Sequence, residues 1–166
     1  MKFENVFYLD RCDKPVKFQV LNLLKDNDKN FCPPLSKRTF FDSKFITQTD
    51  KDTNIIRYYR WLLDSSCILV KNEKEVVIGF VAYTVDKECL YIKNILVDEK
   101  YRNRGIASKL YSMILEVNRK VRIRTWSTNL VNIRLLKKNG FTIEEVIKDD
   151  RGEGIDTIFF VREKSS

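Results

Sequence analysis

Apolar residues recur along this chain at two spacings, and the switches between them mark out its elements. Asn5–Leu9 reads as a first strand. Asp13 then offers an N-cap, with Pro15 in the first turn, to a helix running through Leu24. Its apolar face is expected to be Phe18, Leu21 and Leu24, with Val20 beside them. Polar residues 25–30 end it, and Pro33-Pro34 bar a helix in the segment that follows. Residues 36–50 are ambiguous, a short helix over Ser36–Asp42 being one option. Thr53–Leu63 has helical spacing, with Ile56, Tyr59, Leu62 and Leu63 on one side.

From there the period shortens. Cys67–Val70 and Val76–Val85, joined by a tight turn at Lys71–Glu75, and then Cys89–Val97 are predicted as an antiparallel meander. A helix over Ile106–Asn118, a fifth strand over Val121–Trp126 and a helix over Leu130–Lys138 come next, the last closed by Asn139-Gly140. Thr142–Lys148 and Ile155–Arg162 finish as a hairpin. The order predicts one α/β (α+β) domain over residues 1–166, with a mixed, mostly antiparallel sheet flanked by helices.

Composition narrows the chemistry. Apolar residues make up 43% of the 166, enough for a core and too many for wholesale disorder. No apolar run reaches membrane-span length, and Met1-Lys-Phe-Glu-Asn lacks the apolar stretch of a signal peptide. A cytoplasmic setting without membrane insertion is expected. The chain has no histidine, and Cys12, Cys32, Cys67 and Cys89 form no C-x-x-C pair. No metal site is expected, nor Ser-His or Cys-His nucleophilic machinery, and the thiols are expected to be reduced. The net charge of +8 is uneven. Lys100–Lys138 holds eleven Lys and Arg against the single Glu116, a balance of +10, while twenty basic and 22 acidic residues elsewhere leave −2. Such a patch suits a phosphate-rich ligand. A nucleic-acid partner is disfavoured, because no RNP-type sequence, zinc finger or helix-turn-helix accompanies it.

The densest signal is Val97-Asp98-Glu99-Lys100-Tyr101-Arg102-Asn103-Arg104-Gly105-Ile106-Ala107-Ser108. A strand ends, a short basic loop follows and a helix begins at once. The first turn of a helix carries N–H groups with no partner inside it, at the positive end of the dipole. Gly105 lets a ligand approach the backbone, Ala107 keeps the next turn slim, and Arg102 and Arg104 add charge. The spacing matches neither G-x-x-x-x-G-K-[ST] nor G-x-G-x-x-G. Arg102-x-x-Gly105-x-Ala107 after Ile95-Leu96-Val97 instead resembles the [QR]-x-x-G-x-[GA] signature of the GNAT N-acetyltransferase superfamily. Asn129-Leu-Val-Asn132 through Gly140-Phe141 resembles that family's later motif, in the same order. The resemblance covers roughly residues 88–142 and says little of residues 1–65.

What the resemblance implies is concrete. The sheet should splay between the fourth and fifth strands to take the pantetheine arm of acetyl-CoA. Main-chain groups of Ile95, Leu96 and Val97 would bind it, an N–H near Leu96 facing the thioester oxygen. Residues Arg102 to Ser108 would hold the diphosphate. Asn129 and Asn132 would contact the cofactor too, although Asn129 reads equally well as a plain N-cap. The chain departs from the family where protons move. Leu136 stands seven residues after Asn129, where many members carry a tyrosine donor. Tyr91 and Arg124 stand where some members carry a glutamate base. Tyr91 is therefore the candidate catalytic or water-orienting group, set against the reading of an aromatic packed in a sheet. Glu88 reads as a turn residue. The acceptor, an amine, would meet Phe31–Arg38, with Phe31 and Leu35 as an apolar wall, or else that loop is packing alone. Oligomeric state stays open, a homodimer included. The function expected is N-acetyl transfer; a silent coenzyme A-binding sensor or scaffold is the alternative.

Overall fold

The computed structural model describes residues 1–38 and 51–164. They form two compact units, Met1–Ile78 and Gly79–Ser166. The first contains β1 (Lys2–Val6), α1 (Lys14–Asp26), α2 (Lys51–Leu63), β2 (Ser66–Lys71) and the opening residues of β3 (Val77–Val85). β1 pairs antiparallel with β2, Lys2 opposite Lys71 and Val6 opposite Cys67. β1 starts and ends earlier than its apolar run suggests. Phe7 and Tyr8 face solvent, and Leu9 turns inward on a 3₁₀ turn to full burial. Its N–H donates to the Ser65 carbonyl at 2.9 Å.

Asp13 does cap α1, its Oδ1 accepting from the Val16 N–H at 3.0 Å. The expected buried face is corrected: Val20, Leu23 and Leu24 go inside, and Phe18 is 62% exposed. At 3.6 residues per turn, Phe18 lies roughly 120–140° around the helix from Leu23 and Leu24, so it cannot follow them. α2 is rotated likewise, burying Ile55, Tyr58 and Leu62 where Ile56, Tyr59 and Leu63 were expected beside Leu62. The short helix expected over Ser36–Asp42 is a 3₁₀ turn at Leu35–Lys37, and residues 39–42 lie outside the described residues.

The second unit continues β3 and adds β4 (Cys89–Val97), α3 (Ile106–Leu115), β5 (Lys120–Trp126), α4 (Leu130–Lys138), β6 (Thr142–Ile147) and β7 (Thr157–Arg162). Its strands lie in the order β3-β4-β5-β7-β6, and only β4–β5 is parallel. Phe80, Leu90, Leu110, Tyr111, Val121, Leu136 and Phe160 are fully buried at its centre. The Asp86 carboxylate accepts from the Glu88 and Cys89 N–H groups at 2.8 and 2.7 Å, which fixes the turn into β4. α3 stops at Leu115, short of the expected Asn118, with Glu116 as its C-cap and Val117 facing solvent.

The feature that shapes the site is a break in pairing. Asn94 lies opposite Ala82 and Ile92 opposite Tyr83, so Lys93 is an extra residue on β4. A bulge of this kind bends and twists its strand. β4 and β5 pair from Cys89–Lys120 to Ile92–Ile123 and then part. Beyond that point β5 stays paired with β7, Arg124 opposite Phe159 and Trp126 opposite Thr157. Residues 95–97 of β4 thus have β3 on one side and no strand partner on the other. The expected splay is present. Among the described residues no helix is long and apolar enough to cross a membrane, and no group of His, Cys, Asp and Glu could hold a metal. All four cysteines are free thiols.

Candidate functional site

The loop from β4 to α3 is held from within. Asp98 Oδ1 accepts from the Lys100 N–H at 2.8 Å, and Glu99–Tyr101 forms a 3₁₀ turn. Arg102 Nε donates to the Val97 carbonyl at 3.0 Å, so this arginine braces the strand end. The Arg104 guanidinium lies over the Tyr101 ring, 5.3 Å from its centre. Asn103 and Gly105 both have left-handed backbone, φ +61° and +74°. Gly105 is the N-cap of α3 and supplies no side-chain cap. The first intrahelical bond runs from Lys109 N–H to the Gly105 carbonyl at 3.0 Å. The N–H groups of Ile106, Ala107 and Ser108 therefore have no acceptor within the helix. Ile106 is buried and anchors the turn, while Asn103, Arg104, Gly105 and Ser108 face solvent. A Cβ built on Gly105 would meet nothing within 4 Å, so the space beside the N-cap is open. This arrangement fits a diphosphate.

The free edge of β4 can be read residue by residue. A Cβ on Gly79 of β3 would stand 2.9 Å from the Leu96 carbonyl oxygen, so that carbonyl points toward β3. The Val97 carbonyl points the other way, to Arg102. Within a strand the N–H and C=O of one residue share a side and successive residues alternate. Ile95 and Val97 therefore present their main-chain groups to the gap, flanking Leu96. The same close approach disfavours any side chain at Gly79. Gly79→Val should cost about 1–3 kcal/mol, since the clash is with backbone, and Gly79→Ala less; chemical denaturation of both variants checks this.

At the far side of the gap, Asn129 caps α4. Its Oδ1 accepts from the Asn132 N–H at 3.3 Å and its Nδ2 donates to Thr125 Oγ1 at 3.2 Å, so both ends of the amide are engaged. Asn132 Oδ1 accepts from the Tyr111 hydroxyl at 2.9 Å. Tyr111, absent from the sequence reading, is fully buried, edge-on to Phe141 at 6.1 Å. Burial raises its phenol far above the usual range, so it stays neutral and serves as a strut between α3 and α4. Leu136 is fully buried and can donate nothing.

Tyr91 is partly exposed, and its Oη accepts from Arg122 at 3.4 Å. Arg122 is also bound to Glu144, Nε to Oε1 at 3.1 Å, which holds its charge firmly. Burial raises the Cys12 and Cys89 thiols, so neither is a ready nucleophile. In the first unit Leu35 is wholly buried, whereas Phe31 is half-buried, edge-on to Tyr58 at 6.0 Å with the Arg38 guanidinium 5.7 Å above it.

The model of the Acetyltransferase (GNAT) family matches residues 34–141. An acetyltransferase of that family from Bacillus cereus is 18% identical over 100% of both chains, with a TM-score of 0.67. The ribosomal-protein-alanine N-acetyltransferase of Brucella melitensis is 14% identical over 98% of this chain and 99% of its own, TM-score 0.67. A protein assigned as a streptothricin acetyltransferase of Bacillus anthracis, solved with acetyl coenzyme A, is 20% identical over 60% and 62%, TM-score 0.52. These likenesses are of fold. No curated protein sequence matches the chain.

Proposed function

The chain belongs to the acetyltransferase (GNAT) family, and from that premise we propose that it is an acetyl-CoA-dependent N-acetyltransferase. It acts as one domain, and the acceptor is a primary amine attacking directly in a ternary complex. One observation carries the reading: three uncapped N–H groups behind left-handed Gly105 directly follow a strand with a free edge at Ile95–Val97. Linked phosphates suit the first and an extended amide-bearing arm suits the second.

Acetyl-CoA would be held by the main chain of Ile95 and Val97 around Leu96, and by Arg102, Asn103, Arg104, Gly105, Ile106, Ala107 and Ser108. Asn129 and Asn132 would shape its far wall. Bound acetyl-CoA supplies an activated acetyl thioester. The chain's own part is to orient it, to exclude water, and to offer an N–H from the β4 edge to the carbonyl oxygen. Loss of a donor of that kind costs about 3–4 kcal/mol of transition-state stabilisation. Tyr91, whose hydroxyl accepts from Arg122, would orient a water that takes the amine proton. On the acceptor side Phe31 keeps a half-exposed ring, and Leu35 supports the segment from within.

Buried Leu136 in the donor position favours a second reading, a silent coenzyme A-binding sensor or scaffold. Calorimetry with acetyl-CoA tests both readings at once, and absence of binding ends both. A panel of amines, followed by the mass of the product, separates them. Turnover of any amine removes the sensor; binding without turnover across the panel removes the transferase. Native mass in the same samples decides between monomer and homodimer. A cytoplasmic location, where acetyl-CoA is available, is part of the same proposal.

A further inference from the structure

Strand β5 has two unlike faces. Val121, Ile123 and Thr125 are buried, and Thr125 meets the cap of α4. Arg122, Arg124 and Trp126 point to the opposite face. Tyr111 and Asn132 join α3 to α4 across the first face, so a ligand on the α3 N-terminus is held from that side. An amine attacking a thioester in the gap must then come from the other side, the face of Arg124.

Arg124 is the first residue of β5 beyond the last β4–β5 pair, Ile92–Ile123. It therefore stands at the mouth of the gap. Two other arginines near this face are engaged elsewhere. Arg122, two residues back, is neutralised by Glu144 and also bonds Tyr91. Arg151 lies over Trp126, 5.7 Å from the ring, and donates through Nε to Thr157 Oγ1 at 2.8 Å. Across the sheet, Phe159 lies opposite Arg124 and Glu145 opposite Phe159. Glu145 is thus two strands away, about 9–10 Å at the Cα atoms, and no ion pair spans the ring. Among the described residues the Arg124 side chain makes no hydrogen bond, ion pair or ring contact. A planar fork of donors at the entrance of the gap, exposed to solvent, matches a carboxylate.

We infer that Arg124 binds a carboxylate on the acceptor, and that the acceptor is an amine bearing such a group, as an amino acid does, rather than a polyamine or a lysine-rich peptide. The inference rests on the transferase reading. The same arginine repels a second ammonium group, which sets the selectivity in both directions.

The test uses matched acids and amides: glycine with glycinamide, phenylalanine with phenylalaninamide, and glutamate with glutamine. Each is titrated by NMR into the full chain saturated with coenzyme A and, separately, assayed with acetyl-CoA. In at least one pair differing at the α-carboxyl, the acid should bind at least about tenfold more tightly than its amide. Arg124→Gln should erase that preference and Arg124→Lys should keep part of it. Acetyl-CoA affinity and the melting temperature should be unchanged in both variants. Equal binding of acid and amide in every pair, no binding of either, or a preference that survives Arg124→Gln overturns the inference. Failure of acetyl-CoA itself to bind the wild-type chain is a different result, and it overturns the transferase reading.

Discussion

Gly105→Glu should raise the acetyl-CoA dissociation constant by about two orders of magnitude, some 2.7 kcal/mol. Steric crowding in the free protein is not the cause, because a Cβ at Gly105 would meet nothing within 4 Å. The backbone there has φ +74°, which costs a non-glycine residue about 1–2 kcal/mol. The larger effect is the carboxylate, which sits in front of the N–H groups of Ile106, Ala107 and Ser108 and competes for them with the ligand. That same contact would stabilise the start of α3 by roughly 0.3–1 kcal/mol and partly offset the backbone strain. The variant should therefore fold, melt within a few degrees of wild type, and fail to bind. Gly105→Ala carries the strain without the charge and should lose far less affinity. Calorimetry on the three proteins decides; unchanged affinity in Gly105→Glu means the anion is held elsewhere.

Tyr111→Ala should destabilise the second unit by about 3–5 kcal/mol, the range for removing a large buried ring. Tyr111→Phe should cost only about 1 kcal/mol, since it removes one hydrogen bond and the half-buried Asn132 can turn to solvent. The chain's two tryptophans make the measurement local. Trp61 belongs to the first unit and Trp126 to the second. Urea unfolding followed by fluorescence in a Trp61→Phe background should report the loss through Trp126. A Tyr111→Phe variant as unstable as Tyr111→Ala would show that the hydroxyl contact, rather than the ring, carries the stability.

How much was legible in the sequence depends on the range of the interaction that sets each feature. The ends of β4 and α4 were read correctly, because Asp86, Asn129 and Asn139-Gly140 fix them within a few residues. The open loop at Gly105 was legible for the same reason. The rotations of α1 and α2 were not, since which stripe goes inside is decided by what the helix packs on. The bulge at Lys93 carries no glycine or proline to announce it. Tyr111 and Asn132 are 21 residues apart, and Arg122 and Glu144 are 22 apart. Neither pair follows from a local pattern. Asn129 shows the limit most plainly. Its position allowed a cap or a ligand contact, and only the partners of its two amide ends show that the cap is made.

The extra residue on β4 has a consequence for how this protein tolerates change. The opening beside β5 is written as a count, one more position on one strand than on its neighbour, and not as a particular side chain. Exchanges at position 93 leave that count alone, so the opening outlasts them. Excising the residue would make the pairing of 92 and 94–97 with β3 continuous, remove the bend and let the two parallel strands zip shut. Deletion tolerance and substitution tolerance should therefore diverge most sharply at this one place in the chain.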